Sequence, residues 1–192
     1  MKKLSFVLAA MAVMGSGQIT AADSNTEALA RSCNACHGLN GVSVGPSMPS
    51  IAGQPEAYLR NVMMQWKSDE RYSATMGRHF KGYSDAELAA LATYFSKLPY
   101  VPMAQKADDK VVAQGKAATD RCETCHGATG SEPDDAETPR LNGQWAQYME
   151  MELMKYRNDA AKMPHKKMRN NAKKLADEDV AAVAKYYAAQ PK

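Results

Sequence analysis

The segment Cys33-Asn34-Ala35-Cys36-His37 decides the fold of this chain, and its pattern recurs 89 positions later as Cys122-Glu123-Thr124-Cys125-His126. The two pentapeptides contain all four cysteines. This spacing is typical of covalent c-type haem attachment, because two thiols add across the haem vinyl groups and the adjacent histidine ligates the iron. The sequence therefore predicts two covalently bound haem c groups, attached at Cys33, Cys36, Cys122 and Cys125, with His37 and His126 as iron ligands.

Three other uses of paired cysteines fit the sequence less well. A four-cysteine zinc site normally separates its pairs by roughly 15–20 residues, whereas the separation here is 89 positions. A thioredoxin-type redox pair requires a strand–helix setting and gives no reason for a histidine after each pair. The interpretation of the four cysteines as structural disulfides is disfavoured about as strongly as the zinc site. Haem attachment is therefore the favoured interpretation.

The N-terminus has the pattern of an export signal. Lys2 and Lys3 precede an apolar run over residues 4–14, and Thr20-Ala21-Ala22 resembles a signal-peptidase site. We therefore expect residues 1–22 to be removed and the mature protein to work in a bacterial periplasm. No other stretch approaches the roughly 18 apolar residues that a membrane span requires.

The charge pattern excludes some partners. A formal net charge of +3 is too small to indicate binding to nucleic acid or to an anionic membrane. Charge is uneven locally, since residues 131–137 hold four acidic side chains and residues 162–174 are strongly basic. An ordinary solvated surface is the simpler interpretation of each segment, and a docking surface for a redox partner is the alternative.

An internal repeat organises the rest of the chain. Gly53-Gln54 with Tyr58 recurs as Gly143-Gln144 with Tyr148 at an offset of 90. We predict two duplicated domains over residues 23–100 and 111–192, joined by a linker over residues 101–110. Each domain is small, so a haem would supply much of its core.

The periodicity of both repeats is helical. Leu59, Val62, Met63 and Trp66 follow an i, i+3, i+4, i+7 stripe, and Ser84 with Glu87 forms a capping-box pattern. In the second repeat Ala176 replaces that serine, so we expect Asp177 to cap instead. Strand patterns are nearly absent, and the prediction is an all-α fold.

The sixth iron ligand decides between electron transfer and ligand chemistry. The repeats place Met76 eight residues before Ser84 and Met168 eight before Ala176, so these methionines are the predicted ligands. Met163 is the alternative to Met168, since it lies in the same segment. His79 and His165 also lie in these segments, but their positions do not match between the repeats, and solvent-facing side chains are the favoured interpretation. Methionines at helical spacing are predicted to be core residues: Met63, Met64, Met149, Met151 and Met154.

Several of these motifs resemble a known family. The chain resembles the duplicated diheme c-type cytochromes of the c-four group along nearly its whole mature length, through Cys33 to His37, Pro49 to Gln54, Met76 and Ser84 to Leu88. Within that group it is most similar to the cytochrome subunit of flavocytochrome c sulfide dehydrogenase. That likeness lies in Met76-Gly77-Arg78, Lys81 to Ser84, the acidic insert before Gly143 and the segment from Met163 to Met168.

The resemblance implies two tandem class I cytochrome c domains, each wrapped around one covalent haem. It further implies a partner subunit that oxidises sulfide at FAD, with this chain passing the electrons onward to an acceptor such as a small cytochrome. Other features, namely Gly127-Ala128-Thr129-Gly130 and Leu98-Pro99, are closer to free diheme shuttles that serve a terminal oxidase. A haem sensor or peroxidase would require one methionine to be absent or displaceable, so that class is disfavoured.

Overall fold

The computed structural model describes residues 21–191. Every regular element in that range is helical, which confirms the all-α prediction. The first repeat contains α1 (Ala21–Arg31), α2 (Asn34–His37), α3 (Glu56–Lys67), α4 (Met76–His79) and α5 (Asp85–Lys97). The second contains α6 (Asp109–Ala117), α7 (Asp120–His126), α8 (Ala146–Arg157), α9 (Lys166–Ala172) and α10 (Asp177–Ala189). The predicted leader lies almost wholly outside the described residues. Among residues 21–191, none of the helices has the length and apolarity needed to cross a membrane.

The last helix of each repeat starts differently. Ser84 caps α5 with the predicted capping box, since its side chain accepts the Glu87 backbone N–H and Glu87 accepts from the Ser84 backbone. At the start of α10, Ala176 provides no side-chain cap. The prediction that Asp177 caps this helix is wrong: it lies in the first helical turn and forms an ion pair with Arg157.

Each repeat has its own apolar core. In the first, α5 contributes the fully buried Leu88, Leu91 and Phe95. In the second, α10 contributes Tyr187 and packs closely on α6 at Gly115, where an added Cβ would lie 2.1 Å from the Ala182 carbonyl oxygen. A side chain at this position would therefore force the two helices apart.

The methionine predictions are confirmed in part. Met63 and Met149 are buried in the two cores. Met154 was predicted to be a core residue as well, and this is wrong, because it is 54% exposed. Met151, predicted likewise, lines the interior cavity between the repeats.

The two repeats are joined by direct hydrogen bonds. The Gln54 side chain bonds the backbone of Arg140, and the Gln144 side chain bonds the backbone of Ser50. Tyr100 Oη donates to the Asn142 carbonyl at 2.6 Å. Residues 101–110, the predicted linker, lie against the second repeat through backbone bonds from Met103 to Gly143 and from Gln105 to Ala188.

Candidate haem sites

Both Cys-x-x-Cys-His motifs face one cavity. It has a volume of about 570 Å³ and extends across the contact between the repeats. Its walls include all six motif residues that sequence analysis assigned to haem: Cys33, Cys36, His37, Cys122, Cys125 and His126. The size is that of a site for a large cofactor. The fold therefore brings the two motifs, far apart in sequence, to one continuous interior space.

The two motif histidines are oriented by matching contacts. Nδ1 of His37 lies 2.9 Å from the Pro49 carbonyl oxygen, and Nδ1 of His126 lies 2.9 Å from that of Pro139. A carbonyl oxygen only accepts, so Nδ1 carries the proton and Nε2 keeps its lone pair for a metal. Burial lowers the pKa of both imidazoles, despite the opposing carbonyl bonds. Both rings are thus held in the neutral form that ligates iron.

Short helices present the motif cysteines. Burial raises the pKa of Cys33, and burial raises the pKa of Cys122 to about 11. Immediately after the histidine, Gly38 turns the chain at φ 74°, where a Cβ would lie 2.0 Å from the Val42 carbonyl oxygen. Only glycine fits this turn, which ends α2 directly after its histidine.

The methionines predicted as sixth ligands lie at the cavity wall. Met76 begins α4, where its backbone N–H donates to the Ser73 hydroxyl at 3.0 Å, and Met168 lies in α9. Met163, the alternative, is 1% exposed, packs in the core of the second repeat and does not itself line the cavity. The geometry therefore favours Met168 over Met163.

The other two histidines are placed differently from each other. His165 Nδ1 accepts the Met168 backbone N–H at 3.1 Å and so caps α9. His79 packs against the rings of Phe80 and Tyr83 at centroid distances of 5.6 and 5.3 Å. Both line the cavity and both are exposed. One serves as a helix cap and the other as part of an aromatic cluster.

The cavity wall carries buried donors that lack an acceptor. The N–H groups of Trp66 Nε1, Arg71 Nε and Arg140 Nε are buried and have no protein partner. A buried N–H without an acceptor costs free energy, so these positions fit a group that brings acceptors into the cavity. The two propionate carboxylates of each haem are such acceptors, and the residues present therefore fit the cofactor.

Sequence reasoning missed several of these residues. Pro49 and Pro139, which orient the histidines, recur at the same offset of 90 as the glutamines that mark the repeat, so the signal was present in the sequence. Arg71 and Arg140 gave no such signal, because neither arginine is repeated at the matching position.

Comparison with known proteins agrees with this geometry. Residues 24–99 and 112–188 each match the family Cytochrome c. The chain belongs to the cytochrome c family. Cytochrome c4 of Azotobacter vinelandii is 36% identical over 175 residues, covering 80% of this chain and 82% of that protein. The crystal structure of reduced recombinant cytochrome c4 from Pseudomonas stutzeri superposes with a TM-score of 0.79 at 27% identity, covering 88% of this chain and 98% of the other.

These matches confirm the predicted pair of cytochrome c domains, the c-four group and the two covalently bound haem c groups. The chain is a diheme, cytochrome c4-like electron-transfer protein. The predicted similarity to the cytochrome subunit of sulfide dehydrogenase is found over a shorter part of the chain. The cytochrome subunit of sulfide dehydrogenase from Chlorobaculum tepidum is 40% identical over 76 residues, which is 40% of this chain and 68% of that subunit.

Proposed function

We propose that this diheme cytochrome is a free periplasmic carrier that takes electrons from a membrane complex and delivers them to a terminal oxidase. The observation that carries the choice of a free carrier is the likeness to cytochrome c4, which covers 80% of this chain, against 40% for the sulfide dehydrogenase subunit. The cavity that both haem motifs share across the contact between the repeats supports a carrier with two haems in contact. Two haems held in one interior space can exchange electrons. The cytochrome c4 likeness spans both repeats, which supports a carrier built from the whole chain.

In this proposal each motif holds one haem. Cys33 and Cys36 tether the first porphyrin, and Cys122 and Cys125 tether the second. His37 and His126 bind the irons through Nε2, because Pro49 and Pro139 engage the opposite ring nitrogen. The haems supply one-electron chemistry, and the protein sets their orientation and surroundings.

Methionine sulfur closes both sites in the same proposal. Met76 and Met168 lie at the cavity wall and occupy matching positions in the repeats. Thioether ligation raises the reduction potential and leaves no open position for oxygen or another small ligand. Electron transfer is therefore favoured over the functions of a haem sensor or a peroxidase.

A second candidate function is the cytochrome subunit of a flavocytochrome c sulfide dehydrogenase. The 40% identity to the Chlorobaculum tepidum subunit favours it. In that case an FAD-bearing partner oxidises sulfide, and this chain accepts the electrons one at a time at its two haems. A small cytochrome would then be the acceptor.

One purification separates the two candidates. The untagged protein is isolated from its native host, its mass is measured by light scattering, and its spectrum is recorded before and after sulfide is added. A single diheme chain without flavin absorbance, reduced only by added donors, supports the free carrier. Flavin absorbance in the same particle with haem reduction by sulfide contradicts it and establishes the dehydrogenase subunit.

A further inference from the structure

A buried arginine lies between the two repeats. Arg71 belongs to the segment between α3 and α4 and is 6% exposed. Its Nη1 donates to Tyr156 Oη at 2.9 Å and its Nη2 to Glu152 Oε2 at 3.2 Å. Both partners lie in α8, so a side chain of the first repeat makes its polar contacts with the second.

The aromatic rings around Arg71 come from both repeats. Its guanidinium lies 5.7 Å from the Trp66 ring centroid and 5.3 Å from that of Tyr156. These two residues occupy the same position in the repeat, 90 apart. Tyr58 and Tyr148, another equivalent pair, line the same cavity. Arg71 therefore sits between matching surfaces of the two haem domains.

The positive charge at this place is only partly neutralised. Glu152 accepts from Arg71 and also forms an ion pair with Lys155, so one carboxylate serves two cations. Burial raises the pKa of Tyr58 to about 12 and raises that of Tyr156 as well, so the neighbouring phenols stay neutral. An arginine is always protonated. The interface cluster of Arg71, Glu152 and Lys155 thus carries one uncompensated positive charge, with Lys155 at its half-buried edge.

The cluster also has a free donor. Arg71 Nε is buried without a partner, and so is Trp66 Nε1 beside it, and both side chains line the cavity. An uncompensated charge and unpaired N–H groups together call for an anionic acceptor. Of the groups that the cavity holds in the loaded protein, the haem propionates have this chemistry.

We propose that Arg71 is a cation shared by the two haem sites, which binds haem propionate at the boundary between the domains and raises the reduction potential of both irons. A nearby positive charge stabilises the reduced iron, whose net charge is lower by one. Screening is weak in a buried site, so the charge acts on both haems from its position between them. This inference requires both haems to be bound but does not depend on which donor or acceptor the protein serves.

The test is a spectroelectrochemical titration of the diheme protein and four variants, each checked for two haems per chain. Arg71→Met removes the charge, Arg71→Lys keeps it, and Glu152→Gln removes the compensating carboxylate. Arg60→Met is the matched control, because Arg60 is an exposed arginine of α3 in the same repeat. A structural role alone would not move the potentials in opposite directions.

Arg71→Met is expected to lower the midpoint potential of each haem by about 59 mV. This shift corresponds to about a tenfold change in the equilibrium constant for one-electron reduction. Glu152→Gln is expected to raise both, while Arg71→Lys and Arg60→Met stay close to the parent protein. Unchanged potentials in Arg71→Met, or a shift of one haem only, overturn the shared cation. If Arg71→Met fails to fold, Glu152→Gln decides the question: an upward shift of both potentials supports the proposal, and no shift overturns it.

Discussion

Gln54 and Gln144 make reciprocal contacts across the boundary between the two repeats. Gln54 accepts the Arg140 backbone N–H at 2.9 Å and donates to the Arg140 carbonyl at 3.0 Å. Gln144 accepts the Ser50 backbone N–H at 3.0 Å and donates to the Ser50 carbonyl at 2.8 Å. In each case the partner lies four positions before the opposite glutamine. Each repeat thus contributes the equivalent glutamine to the interface between them, and each glutamine makes the same pair of backbone hydrogen bonds to the other repeat.

Replacing either glutamine with alanine should weaken the interface. Gln144→Ala leaves the buried backbone N–H and C=O of Ser50 without partners, and Gln54→Ala does the same to the half-buried backbone of Arg140. Such a loss costs about 1–3 kcal/mol. The midpoint of urea unfolding, followed by haem absorbance, should fall by similar amounts in Gln54→Ala and Gln144→Ala. Gln114→Ala is the control, since Gln114 is exposed and bonds within the second repeat. Losses no larger than in this control would contradict the role of the pair.

A second prediction concerns the close contact of α6 and α10. Gly115→Ala should destabilise the second domain by about 1–3 kcal/mol, because the new methyl group would overlap the Ala182 carbonyl oxygen. Gly45→Ala is the matched control, since a Cβ at that position has nothing within 4 Å. Thermal unfolding monitored by circular dichroism would measure both. Equal stability of the two variants would show that α6 and α10 are not packed as described.

A third prediction concerns the N-cap positions of α5 and α10, which are equivalent in the two repeats. Ser84→Ala removes the cap of α5 and should cost about 1 kcal/mol, whereas Ala176→Ser adds a cap to α10 and should stabilise it by up to a similar amount. Urea unfolding of each variant gives the sign directly. A destabilised Ala176→Ser variant would mean that the start of α10 does not accept a cap.

The capping box also predicts a pH dependence. Hydrogen bonds from the Ser84 backbone N–H and hydroxyl hold the pKa of Glu87 below its usual 4.5. A carboxyl with a lowered pKa in the folded state stabilises the protein above pH 4.5, and that contribution is lost as pH falls through the folded value. Glu87→Gln should therefore be less stable than the parent at neutral pH, with the difference disappearing in acid. Urea unfolding of the parent and of Glu87→Gln at a series of pH values measures this difference, and a difference that stays constant into acid would contradict the role of the carboxylate.

The sequence predicted those parts of the site whose signal is local or repeated. The haem motifs, the capping box at Ser84 and the position of Met76 and Met168 all follow from spacing within one segment or between the two copies. The exposed Met154 shows the limit of periodicity, since spacing does not say which helical face is covered by the rest of the fold.

The contacts of Arg71 could not be predicted from the sequence, for a different reason. Its partners, Glu152 and Tyr156, lie 81 and 85 positions away, and they meet it only because the two domains pack together. No repeat marks the contact, because a single arginine lies between two equivalent aromatic residues. Features that arise from domain packing therefore required the structure.

The most direct test of the account is the sulfur-to-iron charge-transfer band in the far-red spectrum of the oxidised protein. It tests the central claim, that two haems with histidine and methionine ligands make this chain an electron carrier. Met76→Ala and Met168→Ala should each remove about half of the band, and Met163→Ala, at the buried core residue, should leave it intact. A band of undiminished intensity in both Met76→Ala and Met168→Ala, or a band that loses intensity in Met163→Ala, would contradict the assignment of the ligands.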